Sequence, residues 1–263
     1  MKIHQIFFKN NLRNFCYLVC FDDGAIFCID PYHAKEITDY LSYKHFGKHL
    51  NCIINTHDHC DHYSGNEELY QAYKCTIMAH PEALVPFKNK SLLDHEIIYQ
   101  TQQADATWTL RAIYTPGHTH SHLCVMVEKN NIAFALFTGD CFFNAGVGNC
   151  HNGGDPEMLY QTIETIFTKL PDDLLIYPGH EYLKRNLEFT NHFEPHNKFA
   201  QNFLHEISSL NLDEHYFVNT MKIEREINTF LRLDSLDLRK KLQLSDSEKK
   251  KVFLTLRELR NKW

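Results

Sequence analysis

No stretch of this 263-residue chain offers 18 or more consecutive apolar residues, so a membrane-spanning helix is not expected. The opening run MKIHQIFFKNNLRNF breaks its apolar residues with charges and amides, where a secretory leader needs an unbroken apolar core. No CxxC pair occurs, and the cysteines number nine, an odd count for a disulfide framework. Cys16, Cys20 and Cys28 fall inside apolar, strand-like runs, where a reduced thiol behaves as a small buried hydrophobe. Reduced thiols and a cytoplasmic location are the expectation. Neither an internal repeat nor a low-complexity segment is visible. What remains is the composition of an ordinary globular protein, 43% hydrophobic and 23% charged, long enough to bury a substantial core. The net charge of -6 conceals a basic tail, with nine Lys or Arg against three Asp or Glu from Arg239 to Trp263. A solvated helix face explains such a tail. The acidic remainder is a poor footprint for nucleic acid, and neither a nucleic-acid nor a membrane partner is expected.

The first two thirds alternate strand-like and helix-like stretches. Residues 2–8, 15–21 and 25–29 read as strands, the last two joined by a hairpin at Asp23-Gly24. A helix over 34–43 precedes the apolar run Leu50 to Ile54, and a short helix starts at Asn66. Further strands are expected near 75–79, 107–114, 122–128 and 131–137, then a helix over 156–169 with Asp155 as N-cap and Pro156 at its first position. A short strand, Leu174 to Tyr177, ends at Pro178-Gly179-His180. Beyond it only helical periodicity is left, over 181–192, 197–210, 222–232 and 246–261, with a capping box at Ser245-Asp-Ser-Glu248. The pattern implies an α/β layered domain over 1–180 and a small helical domain over 181–263.

Four segments share one arrangement, in which an apolar run stops and metal-ligand side chains follow at once. Ile53-Ile54-Asn55 precedes His57, Ala112-Ile113-Tyr114 precedes His118, Ala135-Leu136-Phe137 precedes Asp140, and Leu175-Ile176-Tyr177 precedes His180. The densest, Thr56 to His62, holds His57, His59, Asp61 and His62. A polar surface loop is the ordinary alternative, but so many ionisable groups are costly to bury without metal or partners. In an extended loop His57 and His59 share a side, while Asp61 and His62 lie past the turn and can face a second ion. Two nearby cations need a shared anionic ligand, for which Asp140 is the natural choice, and His118 and His180 then complete one metal each. Zinc is the ion expected, with iron and manganese open to the same ligands.

The run 56–62 resembles the T-H-x-H-x-D-H signature of the metallo-β-lactamase superfamily. Thr115-Pro-Gly-His118-Thr-His-Ser-His122 and Phe137-Thr-Gly-Asp140 resemble its next two ligand motifs. Gly179-His180-Glu181-Tyr182, Glu224-Arg-Glu-Ile-Asn228 and Phe230-Leu-Arg232 are similar to the glyoxalase II family, the hydroxyacylglutathione hydrolases, and the likeness covers nearly the whole chain. It implies an α/β fold, the metallo-β-lactamase αββα sandwich with a small helical C-terminal domain. It also implies hydrolysis of a small-molecule thioester, S-D-lactoylglutathione, to D-lactate and glutathione; the chain is expected to be a monomer. By the same resemblance His57, His59 and His118 hold one metal, Asp61, His62 and His180 the other, and Asp140 bridges. Asp140 and Asp61 are the carboxylates nearest the chemistry, Asp61 with a further role in handling protons. His122 is implied to support the site, and His120 has no counterpart.

A water between two cations loses a proton near neutral pH, since one zinc alone lowers its pKa to about 7. It would attack the thioester carbonyl carbon, with the metals in place of a backbone oxyanion hole and the thiolate leaving. Cys60 and Cys141 flank ligands and are expected to pack around the site rather than take part. The family grips the glycine end of glutathione with a basic residue and an aromatic hydroxyl, where this chain has Asn149 and His151. Tyr182 is retained, and Arg257 and Arg260, three apart on one helix face, align with the family's basic pair in the last helix. The loss of a charge at Asn149 leaves another thiol carrier open. Persulfide dioxygenation at a single iron and thioester binding without turnover are the remaining alternatives. A nucleic-acid-cleaving relative fits least.

Overall fold

The computed structural model describes residues 1–43 and 49–263. Phe15–Cys20 forms strand β2, buried on both faces, which is why it reads as an unbroken apolar run. It pairs antiparallel with β1 (Lys2–Phe7) and β3 (Ile26–Ile29). The expected hairpin is present, with Gly24 at φ 94° and the Asp23 carboxylate accepting from the Ala25 amide at 3.1 Å. β4 (Cys52–Ile54), β5 (Thr76–Ala79) and β6 (Lys90–Ser91) add in parallel in the order β1-β2-β3-β4-β5-β6.

Helices α1 (Ala34–Tyr43) and α2 (Asn66–Tyr73) bury their apolar stripes with one face of this sheet, where Ile37, Leu41 and Leu69 pack with Leu18, Ile53 and Ile77. Cys16, Cys20, Cys28 and Cys75 share that core as small hydrophobes, and no cysteine forms a disulfide. The other face of β2 and β3 meets a second, antiparallel sheet. Its strands are β7 (Ile97–Gln103), β8 (Ala106–Tyr114), β9 (Leu123–Lys129) and β10 (Ile132–Gly139), in the order β10-β9-β8-β7. Tyr17 packs on Phe137 and Phe27 on Tyr99, each pair with ring centroids 5.0 Å apart.

The chain divides into two compact units, Met1–Tyr114 with Ser121–Gly139, and Thr115–His120 with Asp140–Trp263. The second unit holds the short hairpin β11 (Phe142–Phe143) and β12 (Gly146–Val147), helix α3 (Pro156–Thr165) and β13 (Leu175–Pro178). The helices α4 (Leu183–Phe193), α5 (Lys198–Ser208), α6 (Met221–Ile227), α7 (Leu236–Leu242) and α8 (Lys249–Asn261) follow. Asp155 caps α3 as expected, accepting from the amides of Glu157 and Met158. Leu183, Leu187, Ala200, Ile207 and Ile227 form one core, and the Glu194 carboxylate, 1% exposed, is paired with Arg232 at 3.0 Å. Among the described residues no helix is long and apolar enough to cross a membrane.

Several boundaries differ from expectation. The capping box at Ser245–Glu248 does not form: α8 begins at Lys249, and its N-cap Glu248 makes no side-chain cap bond. The helix expected over 222–232 stops at Ile227, where Asn228 turns to hydrogen-bond the Gly146 carbonyl. The strand β7 and helix α7 were not anticipated. In β7 the glutamines and threonine of IIYQTQQ dilute the apolar signal on a half-exposed strand.

Candidate metal centre and substrate pocket

In the first unit the expected ligands sit on the loop after β4, which a buried amide network ties down. Asn55 Nδ2 donates to the His62 carbonyl at 2.6 Å, and Asn66 Nδ2 donates to Asn55 Oδ1 at 2.8 Å. Asp30, directly after β3, accepts from the Thr56 amide and hydroxyl, each at 2.7 Å, and pairs with His62 Nδ1 at 2.9 Å. A carboxylate on Nδ1 selects the tautomer that turns Nε2 outward as a ligand, and His62 Nε2 lies 3.5 Å from Asp61 Oδ2. Asn14 Nδ2 donates to that same Asp61 oxygen at 2.9 Å. The Thr56 hydroxyl meets His57 Nδ1 at 2.9 Å, while His57 Nε2 and His59 Nδ1 face one another at 3.0 Å. His122 stacks on His57 with ring centroids 5.3 Å apart. A Cβ on Gly139 would lie 2.5 Å from the Thr56 hydroxyl and 2.7 Å from His122 Nε2, so only glycine closes this corner.

In the second unit Asp140 lies between two histidines. Its Oδ2 is 3.1 Å from His180 Nε2 and 3.6 Å from His118 Nε2. His118 Nδ1 is 2.6 Å from the Asn149 carbonyl, and the His180 ring stacks on Tyr182 at 5.0 Å and 5°. Two bonds of about 2.0–2.1 Å at a tetrahedral angle set donor atoms roughly 3.3–3.4 Å apart. The ligand-atom pairs within each unit, from 3.0 to 3.6 Å, bracket that value. This imidazole and carboxylate set fits divalent cations.

The second unit also carries a cavity of about 240 Å³, and every residue expected to touch substrate lines it: Asn149, His151, Tyr182, Arg257 and Arg260. Arg185, Asn186, Asn261 and Phe143 join them, and no carboxylate does. Burial, then the neighbouring Arg260, pushes the Arg257 guanidinium down to about 10. Burial, then Arg185, does the same to Arg260, also to about 10. Both keep their charge at neutral pH, in a pocket that favours an anion.

Sequence reasoning missed Asp30, Asn14 and Arg185. Asp30 carries the same signal as the four recognised ligands, a polar donor directly after an apolar strand, but Arg185 shows no local sign. Cys141 is buried, whereas Cys60 is exposed and does not pack as expected, because the short 3-10 turn Cys60–His62 turns it outward.

Residues 12–180 match the metallo-β-lactamase superfamily, and residues 181–263 match the hydroxyacylglutathione hydrolase C-terminus. The structure resembles ETHE1 from Myxococcus xanthus, at TM-score 0.65 and 18% identity over 99% of this chain and 98% of that one. It also resembles TTHA1623 in a di-iron-bound form, at TM-score 0.59 and 17% identity over 87% and 100%. At such identities these likenesses carry the fold alone: a metallo-β-lactamase fold with a helical C-terminal region, whose His and Asp clusters suit a dinuclear divalent metal site. A hydroxyacylglutathione hydrolase of Nitrosococcus oceani is 42% identical over the full length of both chains. One from a Polaromonas species is 36% identical, again over the full length of both. The chain belongs to the hydroxyacylglutathione hydrolase family.

Proposed function

We propose that this chain hydrolyses S-D-lactoylglutathione to D-lactate and glutathione at two divalent metal ions, with zinc the resident metal. Relatives that carry the name hydroxyacylglutathione hydrolase over their whole length support this reading, and they disfavour the persulfide dioxygenase alternative. His57, His59 and His118 are assigned to one ion, Asp61, His62 and His180 to the other, and Asp140 to both. The observation that carries the assignment is the single Asp140 oxygen within 3.6 Å of both His118 and His180.

When bound, two cations held by these residues would supply Lewis-acid chemistry, lowering the pKa of a water to about 7 and offsetting charge on the thioester oxygen. The protein's own residues orient the parts. Asp30 and the Asn149 carbonyl set the tautomers of His62 and His118. Arg185 and Arg260 attract the substrate's carboxylates, while Asn149, His151 and Tyr182 offer hydrogen bonds in the same cavity. Tyr182, stacked on His180, joins that cavity to the metal ligands. Asp61, held by Asn14, is the carboxylate assigned to handle protons.

Residues 1–180 are read as the metal-binding part and 181–263 as the helical substrate-binding part, which the meeting of the two family matches at 180 and 181 supports. The chain is read as a cytoplasmic monomer. The test is loss of thioester absorbance from S-D-lactoylglutathione, with protein of measured metal content. Turnover is expected, with a fall of several orders of magnitude in Asp140→Ala. Two-metal protein that leaves this thioester intact refutes the substrate. Full activity in Asp140→Ala refutes the bridging carboxylate.

A further inference from the structure

We propose that Arg257 is a positioning residue for the metal ligand His118, acting through the backbone of residues 147–149, besides lining the substrate cavity. The inference rests on His118 being a metal ligand, as assigned above. The α8 helix buries Arg257 to 5% exposure. Its Nη1 donates to the carbonyls of Val147 at 2.7 Å and Gly148 at 3.0 Å. Its Nε and Nη2 donate to Asn261 Oδ1 at 3.2 and 2.9 Å. Four of the five guanidinium N–H groups are thereby engaged on the protein itself, which leaves one for a substrate carboxylate.

The next carbonyl along this backbone, that of Asn149, takes the Nδ1–H of His118 at 2.6 Å. Such a bond fixes the ring's tautomer and aim, and outer partners of this kind typically change metal affinity about 10- to 100-fold. The backbone at Gly148 packs closely on its neighbours. A Cβ on Gly148 would lie 1.9 Å from the Asp140 carbonyl and 2.9 Å from His118 Nδ1. Upstream, the Glu224 carboxylate holds the Ala145 amide at 2.8 Å, and Asn228 holds the Gly146 carbonyl at 3.1 Å. Arg257 is the cation that clamps the downstream end, where His118 attaches. Arg185 lines the same cavity but donates to the Trp263 carbonyl at 2.9 Å, so it separates cavity charge from backbone clamping.

The experiment measures zinc per chain by mass spectrometry and stepwise zinc affinity by chelator competition. It compares wild type with Arg257→Met, Arg257→Lys, Arg185→Ala and His118→Ala. Arg257→Met is expected to weaken one of the two ions about tenfold and leave the other unchanged, a selectivity that general loosening of the fold would not give. Arg257→Lys, which keeps a cation and its donors on the same helix position, should fall between, and it carries the test if the methionine variant does not fold. Arg185→Ala should bind both ions as wild type does. If Arg257→Met and Arg257→Lys keep wild-type affinity for both ions while KM rises, Arg257 is a substrate contact and the proposal fails. If His118→Ala also keeps both ions, the ligand assignment fails with it.

Discussion

Asp30 offers the sharpest perturbation of the proposed metal centre, because it is 4% exposed and serves three donors at once. The Thr56 amide and hydroxyl approach at 2.7 Å, and His62 Nδ1 approaches at 2.9 Å. An Asp30→Asn side chain keeps the shape, but its amide oxygen cannot serve all three, and its NH2 must face a donor. One buried donor is then left unmet, at about 1–3 kcal/mol in the metal-free protein. The His62 ring also loses the carboxylate that fixes its tautomer, so affinity for its ion should fall about 10- to 100-fold, or roughly 1.4–2.8 kcal/mol. Urea denaturation of the metal-free variant reads the first number, and competition against a zinc chelator reads the second. Zinc affinity within twofold of wild type would refute the argument that Asp30 orients His62.

Two further outcomes follow from charged groups, one buried and one exposed. Glu224 is fully enclosed, and burial raises its carboxyl from 4.5 to about 7, against hydrogen bonds from Asn219, the Ala145 amide and Asn228. A raised acid binds its proton more tightly folded than unfolded, so stability should decline as pH rises from 4.5 toward 7 and level off above. Glu224→Gln should flatten that slope in denaturation measured across the window; an unchanged slope would assign it to other groups. Arg185 sits exposed at the rim of the anion-seeking cavity, so Arg185→Ala removes a screened contact worth about 1 kcal/mol. KM for S-D-lactoylglutathione should rise roughly fivefold while kcat stays within twofold, and a KM that does not move would exclude Arg185 from the substrate's path.

The proposed metal ligands are legible because each follows an apolar strand within a few residues, so local sequence shows both the rigid support and the donor. His57 and His59, two apart, and Asp61 and His62, adjacent, needed only the chain's own geometry to be paired. Asp30 and Asn14 escaped because their partners, Thr56, His62 and Asp61, lie far along the chain. Arg185 reads in sequence as one more charge on a helix, and it becomes a cavity residue only once α4 and α8 are packed. The helix face of Arg257 points in sequence to a substrate contact, and the residue does line the cavity. Its carbonyl partners at Val147 and Gly148, over a hundred residues away, could not be seen. The failed capping box at Ser245 shows the reverse error, a local pattern overridden when the helix starts later.

Gly148 bears on how this enzyme can change. With any side chain excluded there, the backbone beside Asp140 and His118 is held in one path. Variation at the cavity is open to flanking side chains such as those at 149 and 151, and to those on the helices that line it. On the proposed reading, Asn149 and His151 can change which thiol carrier the cavity accepts without adding or removing a proposed metal ligand. A new acyl-thiol preference could then be selected one side chain at a time.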